Sequence, residues 1–125
     1  MAFDDYFNKV YNKNTYNCAH FVCDVWEDIT GDDIRESFRG FLLPFKSRTA
    51  TFGMRHRFKR LVEPVEPSIV LMSNRTGTPH VGIYTRGRVL HIRECGGVQY
   101  QPLDMATFGH TYRRYYTCAA KEQTT

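Results

Sequence analysis

The chain has 125 residues, 42% of them hydrophobic and 24% charged, with a formal charge of +4. That length builds one domain, residues 1–125, with its own apolar core and is too short for two of ordinary size. No stretch approaches the roughly 20 apolar residues of a membrane-spanning helix, and the start, Met-Ala-Phe-Asp-Asp-Tyr-Phe, has neither the basic nor the apolar run of a secretory signal. The expected location is therefore the cytoplasm in which the chain is made.

Phe3 to Val10 is expected as a short first helix. Asn17 suits a helix N-cap, after which Phe21, Val22, Val25, Trp26 and Ile29 form an apolar stripe at helical spacing and Gly31 supplies a stop. Asp32 to Phe41 adds another turn or two before Pro44. From about residue 62 the pattern changes to short strands: Ser68 to Met72, then 80–86, 88–93, 97–101 and 111–118, with turns at Arg86-Gly87 and Gly96-Gly97. Helices first and an antiparallel meander afterwards predict an α+β domain.

Cys18 falls in the first turn of the firmest helix. A thiol is a poor nucleophile near neutral pH unless the thiolate is favoured, and the unpaired N–H groups and positive dipole end of a helix start favour it. Cys23, Cys95 and Cys118 show no paired C-x-x-C spacing and are read as structural free thiols. Cys18, His20 and Cys23 also invite a zinc reading, but along one helix these positions turn by about 200° and then a further 300°, so the three cannot converge on one ion. No metal and no cofactor are expected.

Two histidines follow on neighbouring strands. If Arg86-Gly87 is a two-residue hairpin loop, Thr85 pairs with Arg88 and Gly82 with His91. In that register Val81, Ile83, Leu90 and Ile92 share an apolar face, while His80, Gly82, Tyr84, Val89 and His91 share the other. His80 and His91 are then diagonal neighbours, about 7–8 Å apart at the backbone, within reach of an imidazole–imidazole contact. A slip of one residue would put His91 among the apolar side chains and break the alternation. His20, His56 and His110 have no role in this scheme and are assigned to surface or local packing.

Charge is uneven: residues 1–40 carry eight acids and four bases, and the remainder carries five acids and thirteen bases. Lys46, Arg48, Arg55, Arg57, Lys59 and Arg60 lie within fifteen residues that contain no acid. Such a run is either a solvated surface or a patch for nucleic acid or another polyanion.

Three segments, Asn17-Cys18-Ala19-His20-Phe21-Val22, Pro79-His80-Val81-Gly82-Ile83-Tyr84 and Gly87-Arg88-Val89-Leu90-His91, resemble in order the motifs of NlpC/P60 cysteine peptidases. The resemblance spans about residues 14–117 and includes Glu66-Pro67-Ser68-Ile69-Val70-Leu71 and Gly97-Val98-Gln99-Tyr100-Gln101-Pro102-Leu103 as flanking strands. It implies a papain-like α+β fold in which the nucleophile helix packs on an antiparallel sheet. It also implies Cys18 as nucleophile, His80 as general base, His91 as the residue that orients His80, and the Cys18 backbone N–H as an oxyanion donor. The implied substrate is a peptide stem of bacterial peptidoglycan, and small members resemble phage tail-associated proteins, so other tail proteins are implied partners and a virion tail is an implied location. The alternatives are a non-catalytic structural or nucleic-acid-binding tail component, or an acyltransferase using the same Cys–His site. The chain departs from the family pattern in having Asn17 where many members have Asp, and Ala19-His20 where they have Ser-Gly. Tyr6, Tyr11 and Tyr16 compete for the place of the family's substrate-facing tyrosine.

Overall fold

The computed structural model describes residues 5–38, 42, 58–73, 79–110 and 112–118. Helix α1 (Cys18–Thr30) is the main helix, followed by a 3₁₀ turn (Arg35–Phe38). Six strands follow, β1 (Phe58–Leu61), β2 (Ser68–Ser73), β3 (His80–Thr85), β4 (Arg88–Arg93), β5 (Gly97–Gln101) and β6 (Tyr112–Cys118), with a four-residue helix α2 (Leu103–Ala106) between the last two. The arrangement is α+β, and all strand pairings are antiparallel.

Helix α1 begins and ends as its flanks require. The Asn17 side chain accepts from the backbone N–H groups of Ala19 at 2.9 Å and His20 at 3.3 Å. His20 reaches back, its Nδ1 accepting from the Asn17 N–H at 3.1 Å, which completes a reciprocal capping box with histidine in the place usually taken by Glu or Gln. Gly31 closes the helix at φ 76°, a left-handed conformation that glycine adopts at little cost. Between these ends Phe21, Val22, Val25 and Trp26 are fully buried, with Trp26 edge-to-face against Phe58 and Phe21 edge-to-face against Tyr6.

The segment before α1 corrects the expectation of a first helix. Within its described part residues 5–8 form a turn closed by Lys9 N–H donating to the Tyr6 carbonyl at 3.0 Å. A helix of eight residues is marginal without a packed apolar stripe, and among its described residues only Tyr6 is buried, while Phe7 and Val10 face solvent. Tyr6 anchors the segment instead, its hydroxyl donating to Asp28.

The sheet order is β1-β6-β2-β3-β4-β5. Strands β2 to β5 are the expected meander, but β6 returns to pair with β2, and β1 lies outside it. The unexpected β1 lies in the basic run: Phe58 turns into the core while Lys59 and Arg60 are exposed, the pattern of an edge strand whose charges discourage further pairing. Lys46, Arg48, Arg55, Arg57 and His56 lie outside the described residues, as do the sequence positions 39–41 and Pro44.

Helix α1 packs on β3 and β4. Its stripe joins Ile69, Val81, Ile83, Leu90, Ile92 and Tyr116 in one core. A second, smaller cluster on the other face contains Val70, Met72, Val89 and Ala106, flanked by Tyr84, Leu103 and Tyr115. No described helix is long and apolar enough to cross a membrane.

Candidate active site

The β3–β4 hairpin has the register expected from its sequence. Thr85 pairs with Arg88, Tyr84 with Val89 and Ile83 with Leu90. Arg86 at φ 53° and Gly87 at φ 82° form the connecting turn, both in the left-handed region that a tight two-residue hairpin loop demands. The Tyr100 hydroxyl pins that turn by donating to the Thr85 carbonyl at 2.6 Å. Val81, Ile83, Leu90 and Ile92 are all fully buried on the α1 side, which commits the alternate positions, including His80 and His91, to the other face.

On that face the two imidazoles meet. His80 Nε2 lies 2.8 Å from His91 Nδ1, and the rings are edge-to-face with centroids 5.1 Å apart. Gly82 makes the room: a Cβ there would stand 2.9 Å from Val89 Cγ1, closer than such contacts occur, and 3.0 Å from His91 Cβ, tighter than most. His91 is 1% exposed, and this burial is the largest influence holding its pKa below the ordinary histidine value of 6.5. Its hydrogen bond to Gln101 opposes that shift, while the charges of Arg93 and His110 add to it.

Two contributors to the cluster were not singled out from the sequence. His91 Nε2 is 2.8 Å from Gln101 Oε1, so the contact continues onto β5. The signal was present in strand alternation: β5 pairs His91 with Gln99 and Val89 with Gln101, placing both glutamines on the histidine face. The other is His110, whose ring stacks on His80 at 6.1 Å and 13°, which corrects its assignment to surface or local packing. It follows α2, where the Thr107 carbonyl accepts the His110 N–H at 3.0 Å and Gly109 turns the chain at φ 85°. Burial first, then the charges of Arg93 and Arg113, hold the His110 pKa below the ordinary value. Nothing in the local sequence of His110 marks this contact, because it depends on where the return from β5 to β6 crosses the sheet.

Cys18 opens α1 and is buried in the α1-side core. The Tyr11 phenol is held above its ordinary pKa, first by burial and then by electrostatic contributions from Cys18 and Glu94. Helix α1, which Cys18 opens, packs on β3 and β4, the two strands that carry the imidazole pair. The competing tyrosines are committed elsewhere: Tyr16 donates to Asp24 at 2.8 Å and Tyr6 to Asp28, and in both cases burial and these carboxylates push the phenol up.

The zinc alternative finds no support in the geometry. His20 uses Nδ1 in the helix cap and Nε2 against the Leu42 carbonyl at 3.0 Å, a more definite role than the surface or local packing expected of it. Cys23 is fully buried, and its thiol is pushed up to about 12, mainly by burial, with Arg35 opposing. Among the described residues no group of three His, Cys, Asp or Glu side chains is arranged to hold a metal ion. Cys18, Cys23 and Cys95 are free thiols.

No protein-family model matches the chain, and no curated protein matches it at a significant level.

Proposed function

We propose that the chain is a cysteine hydrolase with a papain-like, NlpC/P60-type fold, in which Cys18 attacks an amide carbonyl and His80 acts as its base. The observation that carries this reading is the hydrogen-bonded His80–His91 pair on two strands against which the helix opened by Cys18 packs. Cys18 and His80 are each the first residue of their element, and the proposed encounter of thiol and imidazole is around the open end of β3 rather than through the sheet.

The mechanism follows from which atoms are occupied. His80 engages His91 through Nε2, which assigns the thiol proton to Nδ1. The sulfur adds to the carbonyl, and the proposed donor to the developing oxyanion is the Cys18 backbone N–H in the first turn of α1. His80 Nδ1–H then protonates the leaving amine. Water, deprotonated by the same nitrogen, hydrolyses the thioester and restores the thiol. His91 holds the His80 ring, and Tyr11, since Tyr6 and Tyr16 are engaged by Asp28 and Asp24, takes the place of the substrate-facing tyrosine.

The proposed substrate is a peptidoglycan stem peptide, and the proposed setting is a phage tail, both on the motif resemblance alone. Incubation of the purified protein with peptidoglycan and synthetic stem peptides, read by mass spectrometry beside Cys18→Ala, tests the reading. New amine and carboxylate ends in the wild type and none in the variant are expected; equal cleavage by both would rule Cys18 out. An amine acceptor added to the same reaction distinguishes acyl transfer, since it would appear in the product.

A second reading rests on charge. Lys59 and Arg60 on β1 and Arg113 and Arg114 on β6 are exposed cations on two adjacent strands. A nucleic-acid-binding tail component would use them, and its affinity would fall steeply with salt and on replacing these four residues by Gln.

A further inference from the structure

We infer that Gln101 is a positioning residue that sets the direction of the imidazole relay, and so decides which nitrogen of His80 is the base. This rests on the proposed Cys18–His80 chemistry and extends it to a residue on a third strand.

A neutral imidazole has one N–H and one bare nitrogen, and which is which is set by its partners. Gln101 presents Oε1, an acceptor, to His91 Nε2 at 2.8 Å. His91 Nε2 must then carry the hydrogen, leaving Nδ1 bare. A bare Nδ1 accepts, so His80 Nε2, 2.8 Å away, must be the donor. With its hydrogen on Nε2, His80 has its lone pair on Nδ1. The two imidazoles, on β3 and β4, thus point their N–H groups toward Gln101 on β5 and leave the basic nitrogen at the other end. Reversed, with His91 Nδ1–H donating, His80 would carry hydrogen on Nδ1 and could not accept the thiol proton there.

The surroundings favour the neutral ring at the middle of the relay. His91 is almost completely buried, and Arg93 at the end of β4 and His110, stacked on His80, add to that burial in opposing a positive charge on it. A neutral relay needs a neutral acceptor at its end. Gln99 lies on the same strand face directly opposite His91, but its Oε1 is buried without a hydrogen-bond partner. Gln101 alone of the pair makes the bond.

The test compares Gln101→Met, similar in length but without the amide acceptor, with Gln101→Glu, which restores an acceptor. Long-range ¹H–¹⁵N imidazole spectra near pH 8 read the tautomers directly. The wild type should show His80 and His91 both protonated at Nε2. Gln101→Met should give mixed tautomers at both rings, and alkylation of Cys18 by iodoacetamide, mapped by mass spectrometry, should slow about tenfold at pH 7. Gln101→Glu should restore the single tautomers and shift the imidazole titration upward. Wild-type tautomers and alkylation in a folded Gln101→Met would overturn the inference, as would loss of the single tautomers in Gln101→Glu. Failure of the catalytic reading looks different: Cys18 would alkylate as an ordinary thiol in the wild type while the tautomer response to Gln101 persisted.

Discussion

The two faces of the β3–β4 hairpin are built from the same twelve strand residues and serve opposite ends. Toward α1 it presents Val81, Ile83, Leu90 and Ile92, all fully buried and apolar. Away from α1 it presents two histidines, a glycine, a tyrosine and a valine. The first face obtains its energy from area removed from water; the second places polar rings where burial costs energy unless each nitrogen finds a partner. One face holds the other in register, since any slip would exchange the two sets.

Substitutions on each face should therefore fail in different ways. The largest effect is expected from His80→Ala, which should lower amide cleavage by about 10²–10⁴-fold, measured as kcat/KM, while thermal unfolding stays near that of the wild type. A comparable loss of stability would show that His80 is chiefly structural. Leu90→Ala, one position from His91, should do the reverse, costing about 2–5 kcal/mol in denaturant unfolding through the cavity it leaves, with activity retained in the fraction that remains folded. Gly82→Ala should affect both properties. Its new methyl meets Val89 and His91, so about 1–3 kcal/mol of overpacking is expected, along with displacement of the His91 ring visible in its imidazole spectra.

A pH experiment sharpens the same contrast. His91 and His110 both have pKa values lowered by burial, so the unfolded chain takes up protons before the folded one does. Their contribution to stability is full above the ordinary value of 6.5 and is lost as pH falls from there toward the depressed folded values. The melting temperature should thus fall on acidification below about pH 6.5, and His91→Gln should flatten that fall. An unchanged slope in the variant would assign the acid loss to other groups. The smallest effect is expected at the helix start, where Asn17→Ala should cost about 1 kcal/mol by removing the cap, read from urea unfolding.

How far the sequence was readable follows from the range of each interaction. The Asn17 and Gly31 ends of α1, the Arg86-Gly87 turn and the alternation of β3 and β4 are set by residues within a few positions of one another, and all were readable. The turn at residues 5–8 was not, because its anchor, Tyr6, is held by residues far along the chain, the Phe21 ring and the Asp28 carboxylate. β1 was hidden by its charge: Lys59 and Arg60 read as surface, and only the pairing of Phe58–Leu61 with β6 makes a strand of them. In the candidate site, the His80–His91 pair was within reach of local register. Gln101 required the register of a further strand, and His110 required the path of the chain through α2. Contacts set by loop paths leave no periodic trace, which is why the stacked histidine was found only in the structure.

The His20 side chain carries one more consequence. Its ring is used at both nitrogens, Nδ1 as an acceptor from Asn17 and Nε2 as a donor to Leu42, a combination available only to the uncharged ring. One side chain therefore ties the turn that presents Cys18 both to its own backbone and to a residue 22 positions further on. Amide exchange at Asn17 is expected to quicken in His20→Ala and to stay near the wild-type rate in His20→Gln, whose side-chain oxygen can accept from the same N–H.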